Sequence, residues 1–123
     1  MTRTLAKRFN CPTEFALDVL GGKWKTVILC YLKERPCRYR ELRLLLPRLS
    51  DKMLTERLRE LEEKGLVAKR KRTGAGSVDV YSLTPKGQTL GKLLTELYEW
   101  GEQHAAAFGV EVGEPLKRLW LRP

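Results

Sequence analysis

Residues 50–65 read SDKMLTERLRELEEKG, and their spacing predicts a helix with two unlike faces. Ser50 is a good N-cap, and Asp51 suits the positive end of the helix dipole. Leu54, Leu58 and Leu61 recur at i, i+4 and i+7, which makes one narrow apolar stripe. Gly65 follows the last turn and supplies a stop. The opposite face carries Lys52, Thr55, Glu56 and Arg59, with Met53 at its edge. Taken alone, such a helix is most often a solvated amphipathic element. Its neighbours change that reading.

Immediately upstream, Tyr39 to Leu46 reads as a short helix. Leu42, Leu45 and Leu46 point inward, and Arg40 and Arg43 point outward. Pro47 closes it, and Pro47 to Leu49 is a tight connection into the Ser50 helix. Two helices joined this way read as a helix-turn-helix. Immediately downstream, Leu66 to Arg72 and Val78 to Leu83 are strand-like, with Thr73-Gly74-Ala75-Gly76-Ser77 as a turn-rich tip. Lys69, Arg70, Lys71 and Arg72 make both faces of the outgoing strand basic near the tip, so the tip cannot be core. A basic hairpin in this place reads as a wing.

Farther out, Pro12 opens a helix on which Phe15, Ala16, Val19 and Leu20 keep helical spacing, until Gly21-Gly22 ends it. A second helix runs from about Trp24 to Glu34 with Trp24, Val27, Ile28, Tyr31 and Leu32 on one stripe. Thr84-Pro85 is a helix start, and a fifth helix is predicted from Pro85 to Phe108. Leu90, Leu93, Leu94, Leu97, Gly101, His104 and Phe108 lie along it. The expected architecture is mainly α with a small β-hairpin, a winged helix-turn-helix in one domain of residues 1–123. Residues 11–83 form its core, 84–108 a long terminal helix and 109–123 a tail.

The 123 residues hold 24 Lys and Arg against 15 Asp and Glu, a net charge of +9. The excess is not evenly spread. Residues 1–49 carry 11 basic and 4 acidic groups, 50–83 carry 8 and 6, and 84–123 carry 5 and 5. A polyanion should therefore meet the first two-thirds, while the neutral last third is free for another task. The longest apolar run, Val27 to Leu32, is far short of the ~18 residues of a membrane span. The basic N-terminus has no apolar stretch of a secretory signal. Cys11, Cys30 and Cys37 are odd in number and form no CxxC pair, which fits a reducing cytoplasm. Cys30 is expected near the apolar stripe of the second helix, and Cys37 in a turn. The lone His104 makes no metal set, and no nucleotide, metalloprotease or hydrolase motif occurs. No catalytic residue, cofactor or metal is expected.

The physics of these parts points to duplex DNA. The major groove, about 12 Å wide, admits one helix that buries one face at home and offers polar groups on the other. Lys52, Met53, Thr55 and Arg59 are expected at base edges, with Ser50 at the helix start. Arg38, Tyr39 and Arg40 are expected at the backbone, and Lys69 to Arg72 at phosphates or the minor groove. The alternative is a winged helix that meets an acidic protein. An RNA adaptor would need aromatic stacking pairs that the sequence lacks.

The sequence resembles a known family at several places. Cys11-Pro12 followed by Gly21-Gly22-Lys23-Trp24 resembles the "CP…GGKW" opening of HxlR-type winged helix-turn-helix regulators. Tyr39-Arg40-Glu41-Leu42-Arg43 is similar to their "RFxELRR" helix, and Leu54 to Glu62 to their "LTxRLRELE" recognition helix. Gly65-Leu66-Val67 and Val80-Tyr81-Ser82-Leu83-Thr84-Pro85-Lys86-Gly87 resemble the wing and its exit. The tip departs from the pattern, with Gly74-Ala75-Gly76 where relatives often carry prolines. The resemblance implies a homodimeric transcription regulator, related to MarR-type proteins, that dimerises through its terminal helices. On this chain the dimer contacts would be Leu90, Leu93, Leu94, Leu97, Gly101 and Phe108. Some relatives use their N-terminal cysteine as a switch for oxidants, quinones or aldehydes, and Cys11 matches that position. An N-cap place would favour its thiolate, so an oxidant or small-molecule effector is a candidate partner.

Overall fold

The computed structural model describes residues 8–71 and 78–113. Four helices come first: α1 Pro12–Leu20, α2 Lys23–Glu34, α3 Tyr39–Leu45 and α4 Asp51–Glu63. A two-residue strand, β1 Cys37–Arg38, precedes α3. The wing is β2 Val67–Lys71 and β3 Asp79–Leu83, and β3 lies between β1 and β2 in one antiparallel sheet. Arg72 and the tip through Ser77 lie outside the described residues.

The core sits where α2, α3, α4 and one face of the sheet meet. Ile28 and Leu29 of α2, Leu42 of α3, and Leu54, Leu58 and Leu61 of α4 are all fully buried. Full burial of such a side chain contributes about 1.5–3 kcal/mol, so the α4 stripe alone is a large part of what fixes that helix to the body. Lys25 is buried beside them with its ammonium 3.9 Å from Glu60, an ion pair linking α2 to α4. The first helix contributes less than its periodicity predicts. Leu20 is its only buried residue, and Phe15 is 54% exposed.

Three expectations need correction. The predicted helix over 85–108 is broken. It comprises α5 Pro85–Gln88, α6 Gly91–His104 and a 3₁₀ turn at Ala106–Phe108. The break follows from bonds to Lys86 and Gly87: the amides of Thr89 and Leu90 reach back three residues, and the Thr89 hydroxyl donates to the Lys86 carbonyl at 2.6 Å. Such tightened turns end an α-helix. Cys37 is not a turn residue. It faces Tyr81 across β1 and β3, both are buried, and both ionisations are pushed up to about 12, chiefly by burial. Leu94 is fully buried in its own chain, so it offers no surface to a partner.

Candidate nucleic-acid interface

The outward face of α4 stands free while its leucine face is sealed. Ser50 accepts the Met53 N–H at 3.1 Å and so caps the helix. Lys52, Met53, Thr55 and Arg59 are exposed along one side. Arg59 reaches Glu63 at 3.5 Å, with both side chains more than 60% exposed. An exposed pair of this kind is worth only about 0.3–0.5 kcal/mol, so Arg59 can leave it for a stronger partner.

The corner between α3 and α4 is held by side chains. Tyr39, the first residue of α3, donates its hydroxyl to Asp51 Oδ1 at 2.8 Å and stands 3.4 Å from Thr55 Oγ1. Arg43 pairs with the same Asp51 oxygen at 3.0 Å and donates to the Leu49 carbonyl in the connecting turn. A phenol has one proton to donate. Tyr39 gives it to Asp51, so the backbone contact expected of Tyr39 would have to take its proton from this bond. Arg43, read from the sequence only as an outward charge, braces the turn. Nothing in the helical spacing announces that role, because Leu49 and Asp51 are brought to Arg43 by the turn itself.

The cations on the neighbouring elements are open. Arg38 and Arg40 are exposed at the start of α3, and Lys69, Arg70 and Lys71 are exposed on β2. The strand partners split them between faces: Lys69 pairs with Tyr81, Arg70 with Val80 and Lys71 with Asp79.

Elsewhere on the domain, α1 and α6 leave an apolar surface. Leu93, Leu97 and Phe108 are 39%, 48% and 69% exposed. Leu90 and Gly101 are half-buried. Leu17 and Trp100 join this surface at 62% and 56% exposure. Neither is singled out in the sequence reading: Leu17 falls off the α1 stripe, whereas Trp100 follows Leu93 and Leu97 at i+7 and i+3 and the helical spacing could have found it. A groove of about 500 Å³ runs between the helices, with Pro12 and Thr13 at one end and Leu93 and Leu97 opposite.

Cys11 is exposed as the N-cap of α1, without a side-chain capping bond of ordinary geometry. Its thiol pKa is nonetheless lowered, first by the Thr13 hydroxyl and then by the Thr13 backbone. Burial raises the pKa of Cys30. Among the described residues no three His, Cys, Asp or Glu side chains gather as a metal site, and no helix is long and apolar enough to cross a membrane.

Known proteins share this arrangement. The HTH-type transcriptional regulator YkvN of Bacillus subtilis is 38% identical over 113 residues, which is 89% of this chain and 96% of YkvN. The redox regulator HypR in its reduced form superposes with a TM-score of 0.76 at 36% identity, over 80% of this chain and 98% of HypR. Quinone-bound YodB of B. subtilis gives a TM-score of 0.62 at 36% identity, over 76% of this chain and 99% of YodB. The HxlR-like helix-turn-helix profile matches residues 19–108. The fold is thus a winged helix, and the chain belongs to the HxlR-like helix-turn-helix family of transcriptional regulators.

Proposed function

We infer that this regulator binds double-stranded DNA as a homodimer. The observation that carries the reading is α4: its leucines are fully buried, while Lys52, Met53, Thr55 and Arg59 stand exposed, and Arg38, Arg40, Lys69, Arg70 and Lys71 are exposed on the elements that flank it in sequence. In this reading α4 enters the major groove with Ser50 at its leading end. Lys52, Met53 and Arg59 meet base edges, and Thr55 does so from a position shared with Tyr39. Arg38 and Arg40 contact the backbone. Lys69, Arg70 and Lys71, with Arg72 beyond the described residues, meet phosphates or the minor groove.

The second copy sits on the α1–α6 surface through Leu93, Leu97, Gly101 and Phe108, with Leu90 at the margin. Two protomers then read half-sites whose centres lie about one helical turn, 10 base pairs, or a multiple of it, apart. Cys11 is the proposed sensing group. HypR is a redox regulator and YodB binds a quinone, and an exposed, pKa-lowered thiol on this chain suits an oxidant or electrophile.

Fragments selected from genomic duplex DNA test the reading, followed by titration at several salt concentrations. The wild-type protein should select a two-fold related sequence. Lys71→Ala should flatten the slope of log K against log salt by about 0.9, one phosphate's worth. No salt-dependent duplex binding would refute the reading.

A further inference from the structure

The solvent face of the sheet carries a feature that base reading does not use. Arg38 of β1 and Arg70 of β2 both pair with Val80 of β3, so the three residues form one row across the sheet. Alternation along each strand puts this row on the face opposite buried Cys37 and Tyr81. Strands lie about 4.8 Å apart, so the two arginine backbones stand about 10 Å from each other with Val80 between them. Arg35, at the end of α2, closes a third side. These residues bound a cavity of about 470 Å³ whose apolar part is Pro36 and Val80.

Glu41 is the acidic group in this lining, and its carboxylate accepts the Arg38 N–H at 2.8 Å. The two strand guanidinium groups against this one carboxylate already leave the row positive, before Arg35 is counted. Guanidinium forks match the oxygens of phosphate in pairs, and the strand row sets two of them across a gap that a small anion bridges.

We propose that this shelf of Arg35, Arg38 and Arg70 is a phosphate-binding site. The phosphate comes from one of two sources: a backbone phosphodiester of duplex DNA flanking the stretch under α4, or a free phosphorylated small molecule. The first source rests on the DNA-binding reading above, and the second does not.

The test uses the full chain and the variants Arg35→Gln, Arg70→Gln and Lys92→Gln. Lys92 is exposed on α6, away from the shelf, and removes the same charge. One arm titrates inorganic phosphate at constant ionic strength and follows the arginine Nε–H NMR signals. The other titrates salt against duplexes of about 15 and about 30 base pairs, the shorter spanning little more than one half-site. A free ligand predicts saturable shifts in wild type that weaken at least about fivefold in Arg35→Gln and not in Lys92→Gln. A flanking phosphodiester predicts a salt slope lower by about 0.9 in Arg35→Gln on the longer duplex alone. Arg70→Gln decides the free-ligand arm should Arg35→Gln not fold. Shelf variants that match Lys92→Gln in both arms overturn the proposal. Wild-type protein that binds no duplex refutes the DNA reading instead, and the phosphate arm then decides the shelf.

Discussion

The Tyr39 hydroxyl donates to Asp51 Oδ1 at 2.8 Å, joining the first residue of α3 to the first residue of α4. Asp51 also holds Arg43 at 3.0 Å. One carboxylate therefore ties two residues of α3 to the start of α4. It also sits at the positive end of α4, where the helix dipole favours it.

Tyr39→Phe removes that bond and keeps the ring. The groups are exposed, so the stability loss should stay below about 1 kcal/mol. Duplex affinity should fall more than stability does, because the change loosens the aim of α4. Urea unfolding and duplex titration on the same variant separate the two. Asp51→Asn also removes the Arg43 pair and the charge at the helix start, so Tyr39→Phe with Asp51→Asn should lose more than Tyr39→Phe alone but less than the sum of the two single changes, which share one bond. Fully additive losses would mean that the bond does not position the helix.

Gly87 lies against the backbone of Leu66. A Cβ there would stand 2.1 Å from the Leu66 carbonyl oxygen, far inside contact. The same junction is closed by Thr84, whose hydroxyl donates to the Gly65 carbonyl at 2.6 Å and accepts the Gly87 N–H at 3.0 Å. Gly87→Ala should therefore destabilise by at least about 1–3 kcal/mol. Gly91→Ala, where no atom lies within 4 Å, should change stability by less than about 1 kcal/mol. Thermal melts of the two variants give the comparison, and equal melting temperatures would contradict the contact.

These two junctions mark the limit of what the sequence shows. The α4 stripe was legible because Leu54, Leu58 and Leu61 repeat with the helical period and Ser50 and Gly65 bracket them. The wing was legible from its basic run and turn-rich tip. Two-residue β1 was not, since Cys37 and Arg38 are too few to show alternation, and Pro36 read as a helix end. The Thr84 to Gly87 segment was matched as part of a motif, but its reason, a backbone contact with Leu66, is tertiary. Exposed charges such as Lys52 and Arg59 were placed by helix geometry alone. The bracing by Arg43 depends on a turn that no periodicity encodes.

Neighbouring leucines on α6 should separate folding from assembly. Leu94 is fully buried, and Leu94→Ala should destabilise the protomer by about 2–5 kcal/mol. Leu97 is 48% exposed beside the α1–α6 groove. Leu97→Glu should leave the folded protomer intact and place a charge in the proposed dimer surface. Sedimentation equilibrium should show the mass falling to one chain for Leu97→Glu. A mass unchanged from wild type would move the dimer contact elsewhere.

The buried pair of Cys37 and Tyr81 predicts alkaline instability. Both folded-state pKa values are raised to about 12 from ordinary values of 9.0 and 10.0. The folded chain then holds protons that the unfolded chain has released. Stability is fully present below the ordinary values and is lost as pH rises from about 9 towards 12. Chemical denaturation across that range checks the slope. Cys37→Ala should delay the onset to the tyrosine range, near pH 10, and an onset unchanged from wild type would remove Cys37 from the account.

The three thiols should differ in reactivity at neutral pH. Thiolate is the attacking form, and its fraction at pH 7 rises as the pKa falls. Cys11 is exposed with a lowered pKa, while Cys30 and Cys37 are raised by burial. Iodoacetamide should therefore label Cys11 first, and its rate should level off at a lower pH than that of a free thiol. Cys37 should react only as the fold opens. Peptide mapping of the labelled chain reads the order directly. If Cys11→Ser leaves the fast phase in place, Cys11 is not the reactive thiol. If the fast phase vanishes yet an oxidant still releases DNA from the variant, the thiol is reactive but is not the switch.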